Sequence, residues 1–294
     1  MGFYPRHSFN TALSGYGFMA PALFVLGLFV FLPILLAFVL AFQKVQLLGT
    51  LDAQFVGLRN FVRLGQDERL WIALKNTLEY VVIVVPTQTV LALGLALALN
   101  TGIKGRRIWR ILFFLPTVTA SAVLTLLFMW IYNTEGLLNH ALSAVNLPTY
   151  NWLGDPAIAL KGIMLMNIWS TAPFFMVIYL AALQDIPRSL YEAAQLDGAT
   201  GWQCLRYITL PQLKPVTFFV IVTGMIGTFQ LFDQSYIFSG GSGGPNNATL
   251  TIVLLIYQAV FRDLQLGYGA AIAFFLAFII IAATLLQRKL FGSD

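Results

Sequence analysis

Two histidines, His7 and His140, and one cysteine, Cys204, are the only imidazole and thiol groups in this 294-residue chain. A lone cysteine leaves no intrachain disulfide and no cysteine-based metal cluster. The histidines are far apart in sequence, which argues against a His-rich metal site or a Ser/His/Asp triad. Gly240–Gly244 is followed by Pro245 rather than Lys-Ser, so it reads as a flexible turn and not as a phosphate-binding loop of the G-x-x-x-x-G-K-[ST] type. The available chemistry is therefore recognition. Polar side chains interrupt long apolar runs in three places: Glu79 and Tyr80; Asn167, Trp169, Ser170 and Thr171; and Gln230, Asp233, Gln234 and Tyr236. Polar groups at bilayer depth are costly and usually functional, although some only bond neighbouring helices. Asn167, Thr171, Gln230 and Gln234 offer neutral donors and acceptors, while Trp169, Phe174 and Phe229 offer apolar faces. A few placed polar groups against apolar walls is the usual make-up of a small-molecule pocket. Asp233 could hold a hydroxyl pair or salt-bridge to a partner helix.

A second constellation lies in the stretch 185–210, which is far longer than the roughly 2–8 residues of a plain helix–helix linker. Asp185 can cap a helix and Pro187 suits its first turn. Leu190, Ala193 and Ala194 then share one face. Gly198 is placed to end that helix in a left-handed conformation. Thr200 followed by Gln203 is a capping-box pattern that starts a second short helix. Two short helices joined by a glycine turn make a compact knob. The small Ala193 and Ala194 would let another surface approach closely, and Glu192 and Asp197 would supply acidic anchors. The bland alternative is an amphipathic helix pair lying on a membrane.

The elements that must carry these residues follow from composition. The chain is 59% hydrophobic and 10% charged, against roughly 45–50% and 25% in soluble domains, and its mean hydropathy is +0.79. Lipid must be the solvent for much of it. Six segments are long enough to span, near 18–42, 72–99, 108–132, 158–183, 211–238 and 267–289. The first is too long for the core of a signal peptide and reads as a retained span. Asn100, Thr101 and Gly102 stop the second, and Pro211 suits the first turn of the fifth. Leu250–Phe261 is too short to span and reads as an interfacial or re-entrant helix; a seventh span is the alternative. The net charge of +5 lies in short clusters between apolar runs, which fits membrane orientation better than nucleic-acid binding. With both termini in the cytoplasm, ten Lys and Arg residues fall inside and seven outside. The tight cluster Lys104–Arg110 is inside and four of the outer cations share one long loop, as the positive-inside rule favours.

Glu192-Ala-Ala, then Gly198, then Ile208-Thr-Leu-Pro211 resembles the "EAA" signature of bacterial ABC-importer permeases. Phe55-Val-Gly-Leu-Arg-Asn-Phe61 looks like the "FVGLxNF" of the carbohydrate-uptake branch. Gly136-Leu-Leu-Asn139, Asn151-Trp-Leu-Gly-Asp-Pro156, Ala182-Leu-Gln-Asp-Ile-Pro187 and Gly240–Pro245 are similar to further elements of that branch. The resemblance implies an all-α, polytopic fold with six transmembrane helices and a cytoplasmic coupling-helix loop. It implies that Glu192, Ala193, Ala194, Asp197 and Gly198 touch a cytoplasmic ATPase dimer. Asn167, Trp169, Ser170, Thr171, Phe174, Gln230, Asp233 and Gln234 would line the path of a sugar, polyol or related osmolyte. A second homologous permease, an extracytoplasmic substrate-binding protein and membrane lipid would be partners. ATP and Mg would be bound by the ATPase, with no cofactor in this chain. An ion-coupled secondary transporter is the alternative, though it would want paired ionisable groups or an inverted repeat. A membrane-bound enzyme lacks any catalytic cluster.

Overall fold

The computed structural model describes residues 9–46, 52–101 and 104–291. Gly102, Arg6 and His7, which entered the sequence reading, lie outside the described residues. In chain order the helices are α1 (Phe9–Leu26), α2 (Leu32–Ala41), α3 (Arg59–Gln66), α4 (Glu68–Asn100), α5 (Arg106–Val118), α6 (Ser121–Ile131), α7 (Leu137–Ala144) and α8 (Ala159–Asp185). They continue with α9 (Arg188–Leu196), α10 (Gly201–Cys204), α11 (Leu210–Gln212), α12 (Lys214–Phe229), α13 (Asp233–Phe238), α14 (Ile252–Tyr257) and α15 (Leu266–Phe291). π turns occupy Gly27–Phe31, Leu205–Thr209 and Gln258–Arg262, and two short strands, β1 (Gln43–Gln46) and β2 (Asp52–Phe55), pair antiparallel. The fold is thus helical, as expected, with one hairpin that hydropathy did not announce.

The chain forms two compact units. One comprises Met1–Gln66 and Ala259–Phe274. Its Gly15–Ala41 rod is apolar throughout, and none of its most apolar window is buried. Where the rod ends, the Asn60 side chain donates to the carbonyls of Ala41 (2.9 Å) and Gln43 (3.0 Å). A helix leaves its last carbonyls without intrahelical partners, so Asn60 within the Phe55–Phe61 motif pins α3 to the end of α2. In the same unit Phe38 meets Phe274 edge-on at 5.3 Å.

The other unit comprises Asp67–Gln258 and Phe275–Asp294. Its core is the packing of α4 on α8, with α12 laid against both. Ala92 and Ala96 of α4 are fully buried with Ala172, Met176 and Tyr179 of α8 and Val220 of α12. Small side chains on facing helices allow close approach where lipid offers no hydrophobic driving force. Asp67 caps α4 by accepting from the Arg69 amide at 2.9 Å.

Five helical segments are long and apolar enough to cross a membrane: Gly15–Ala41, Glu68–Asn100, Ala159–Asp185, Lys214–Phe238 and Leu266–Lys289. The segment expected as a straight span over 108–132 is instead α5 and α6, bent by 99°. Counted as one broken span, the pair makes six. Pro116 sits in the last turn of α5, and Thr119 and Ala120 take extended backbone between the helices. Lys214–Phe238 is interrupted too, at Gln230–Phe232 between α12 and α13.

Two local readings change. Asp185 ends α8 rather than capping the next helix, and Pro187 stands at the N-cap of α9 without a side-chain cap bond. Pro211 falls within α11, ahead of α12, which begins at Lys214. Leu250–Phe261 holds α14 and most of the π turn that follows it. Thr251 caps α14 by accepting from the Leu254 amide, and Asn76 of α4 donates to the carbonyls of Asn247 (2.7 Å) and Leu250 (3.0 Å). Ile252, Leu254 and Leu255 are buried as a result.

Candidate functional site: a polar cavity and an exposed knob

The polar residues singled out in the fourth and fifth apolar segments converge on one cavity of about 430 Å³. Asn167, Ser170, Thr171 and Phe174 reach it from α8. Gln230 reaches it from the break after α12, and Asp233 and Gln234 from the first turn of α13. Trp169 does not line it; its ring lies against Phe128, 5.5 Å between centroids, and is exposed. Consecutive helical residues point about 100° apart, so Ser170 and Thr171 face the cavity while Trp169 turns outward. Glu79 is also absent from the lining, whereas Tyr80 is present, fully buried, its hydroxyl without a hydrogen-bond partner among the described residues.

Gln88, Thr117, Thr119 and Ser121 also line the cavity and were not singled out from sequence. Gln88 is buried in α4. The Thr171 hydroxyl lies 2.7 Å from Gln88 Oε1 and 2.7 Å from the Asn167 carbonyl. Gly224 of α12 makes room for this amide, since a Cβ there would come within 2.6 Å of Gln88 Nε2. Gln88 stands one residue from Thr87 and Thr89 in the middle of an apolar run, and the rule that flagged Asn167 would have flagged it too. Ser121 was hidden in a segment read as a plain span. Gln234 Nε2 donates to Ser121 Oγ at 3.1 Å, joining the first turns of α13 and α6 just beyond their breaks. Among the described residues the lining thus combines amides, hydroxyls, aromatic edges and the aliphatic Pro116, Leu124 and Leu231 with a single carboxyl, Asp233. Such a surface can hydrogen-bond a neutral polyhydroxylated molecule from several sides and, among the described residues, has no Lys or Arg with which to neutralise an anion.

The stretch 185–210 forms the two short helices that its sequence announced. No residue of α9 is buried, and Glu192, Ala193, Asp197 and Gly198 are exposed. Gly198 has φ +73°, the left-handed region that costs a residue with a Cβ about 1–2 kcal/mol. The Gly198 amide donates to the Gln195 carbonyl (3.0 Å) and that of Ala199 to Ala194 (2.9 Å), closing the helix end. Thr200 and Gln203 make the full capping box that starts α10. The Tyr191 hydroxyl, 2.9 Å from Thr209 Oγ1, ties α9 to the π turn that follows. Ile186 and Leu213 are buried in the α4–α8–α12 core at either end of the knob. Its outward side meanwhile shows Leu196, Trp202 and Tyr207, 91%, 67% and 70% exposed. A small hollow lined by Ala194, Asp197, Gly198 and Cys204 lies on the same element.

The glycine loop 240–244 is bonded rather than free. Thr249 Oγ1 donates to the Gly244 carbonyl at 2.8 Å, and Ser239 Oγ accepts from the Gly243 amide at 2.9 Å.

Comparison with known proteins agrees with this geometry. The chain is 36% identical over 279 residues to the lactose transport system permease protein LacF of Rhizobium radiobacter, covering 94% of this chain and 93% of the relative. It is 32% identical to the trehalose/maltose transport system permease protein MalF of Thermococcus litoralis, covering 96% and 94%. It shares its fold with a chain of the bacterial alginate ABC transporter solved in complex with an alginate pentasaccharide-bound periplasmic protein, at TM-score 0.82, 24% identity and 95% coverage of both chains. Residues 88–291 match the model for the binding-protein-dependent transport system inner membrane component. This range holds both the cavity wall from Gln88 onward and the whole knob, and the ion-coupled alternative gives way: the chain belongs to the family of binding-protein-dependent transport system inner membrane components.

Proposed function

We propose that this chain forms half of the translocation pathway of an ABC importer for a neutral sugar, polyol or related osmolyte. The observation that carries the reading is the convergence of Asn167, Thr171, Gln230 and Gln234 on one cavity between helices long enough to span a membrane. A sugar has many hydroxyls to satisfy once it leaves water, and each one buried without a partner costs about 1–3 kcal/mol. Amides and hydroxyls arrayed around the cavity can offset that cost, and Phe174 offers a face for the ring carbons. The buried Tyr80 hydroxyl would take a hydrogen bond from the passing ligand or its water. Sugar-named relatives similar over nearly their full length support the substrate class.

Both termini face the cytoplasm in this proposal, so the knob faces it too. Glu192, Ala193, Ala194, Asp197 and Gly198 would seat in a separate ATPase subunit that binds ATP and Mg, one copy serving this chain and the other a second, homologous permease. Leu196 and Trp202 would supply apolar contact beside the acidic anchors. ATP binding would move the knob and, through α9 and its tie to Thr209, the end of α8 at Asp185 and the start of α12 at Lys214, helices whose more distant turns line the cavity. Two conformations differing in knob contacts are required, because an effector with equal affinity for both shifts neither.

The test is Gly198→Asp in the assembled importer. A Cβ at φ +73° strains the turn, and the added charge sits at the centre of the proposed contact. The expected result is loss of ATPase co-purification and at least a tenfold fall in ATP-driven uptake, with the permease still inserted. Unchanged co-purification and uptake would remove the knob from the coupling role.

A further inference from the structure

A second cavity, of about 480 Å³, lies within the unit formed by Met1–Gln66 and Ala259–Phe274. Lys44, Arg59 and Arg63 line it, and among the described residues no carboxylate does. A chain with 17 Lys and Arg residues to distribute over all its loops thus directs three to a single hollow.

Its position is informative. Lys44 follows the end of α2 at Ala41 by three residues, and Gln265, Gly267 and Tyr268, which also line the hollow, stand at the start of α15. Both helices are long and apolar enough to span. The hollow therefore sits where two spans leave the hydrocarbon layer, the depth at which phosphate and glycerol groups of lipid lie. Val45 and Val56 add apolar wall beside the cations.

The site is built and not merely charged. The Arg63 guanidinium donates to Gln265 Oε1 at 2.7 Å and lies 3.9 Å from the centre of the Tyr268 ring. Those two contacts fix its plane and use one of its five N–H donors. Asn60, bonded to the carbonyls of Ala41 and Gln43, holds α3 and hence Arg59 and Arg63 in register with Lys44. Planar guanidinium forks match two oxygens of a phosphate, and an ammonium adds a point charge.

The geometry points to a binding site for the phosphodiester headgroup of an anionic phospholipid. A hollow with apolar walls at the ends of two spans suits a lipid better than an acidic protein side chain, which would need no such wall.

The test uses the full importer, purified and exchanged into nanodiscs of phosphatidylglycerol or of phosphatidylcholine, with retained lipid counted by native mass spectrometry. Wild type keeps phosphatidylglycerol through delipidation and not phosphatidylcholine. The double variant Lys44→Gln/Arg59→Gln loses it, with affinity weakened on the order of tenfold or more. The charge-keeping pair Lys44→Arg/Arg59→Lys retains it, which separates lost charge from lost fold. Equal retention by wild type and the double Gln variant would overturn the site. Displacement of phosphatidylglycerol by millimolar inorganic phosphate would overturn its assignment to lipid. Weakened capture of the substrate-binding protein with lipid retention unchanged would assign the cations to a protein contact and overturn the proposal.

Discussion

The Tyr80 hydroxyl is buried in a span with no hydrogen-bond partner among the described residues, a state that costs about 1–3 kcal/mol. Tyr80→Phe removes that cost. The expected outcome is a higher thermal midpoint together with a raised KM for uptake of several-fold, because the ligand loses a bond. Thermal unfolding and uptake kinetics on the same preparation check this, and a KM that does not move would take Tyr80 out of the pathway. Sequence rules reached Tyr80, Asn167, Thr171, Gln230 and Gln234 because a polar group in an apolar run has few inexpensive reasons to be there. They could not separate Tyr80 from Glu79, or Thr171 from Trp169. Neighbours in a helix share a depth and differ only in direction, and direction is set by packing. Gln88 carries the same signal as a lone amide in an apolar run, while Ser121 becomes meaningful only through its bond to Gln234.

Helix packing at the cavity turns on Gly224, where α12 passes close to the Gln88 side chain. Gly224→Ala should displace the Gln88 amide and break its pairing with the Thr171 hydroxyl. The crowded atom is the end of a flexible side chain, so the protein should still assemble with stability changed by only about 1 kcal/mol. Uptake should nevertheless fall several-fold, and adding Gln88→Ala should leave it low, because removing the clash also removes the amide. Transport by the single and double variants measures this; equal uptake in wild type and Gly224→Ala would show that the amide has no part in the pathway. The knob was the most legible element. Glycine geometry and capping boxes are local rules, and both Gly198 and Thr200–Gln203 obey them. The 99° bend between α5 and α6 left only a faint mark, since Pro116 and the Thr117–Ser121 run that interrupt the apolar stretch 108–132 are also compatible with a span that merely kinks. The β1–β2 hairpin was hidden for another reason. Its strands have only four residues each, too few for an alternating pattern to stand out.

The whole chain carries one cysteine, and Cys204 lies half-exposed in the hollow beside Gly198. It is a natural reporter of orientation. With the knob in the cytoplasm, a membrane-impermeant maleimide should label inside-out vesicles and leave intact cells unlabelled, and a bound ATPase subunit should protect the thiol. Labelling of intact cells would invert the topology. Apolar length and charge distribution made the membrane-embedded class readable, because both are properties of sums and survive ignorance of packing. The broken course of two apolar segments was not readable in that way. α5 ends at Val118 and α12 at Phe229, and the intervening residues Thr119 and Gln230 both line the cavity. A helix terminus frees main-chain carbonyls and amides, and inside a bilayer such backbone is tolerated only where protein or a wet cavity receives it. Here the protein receives it: the Thr119 amide turns back onto the Pro116 carbonyl and the Gln230 amide onto that of Gly227. The breaks are thus closed by bonds any sequence could make, so substitution of the side chains they present should change the cavity's hydrogen bonding and leave the course of the chain intact.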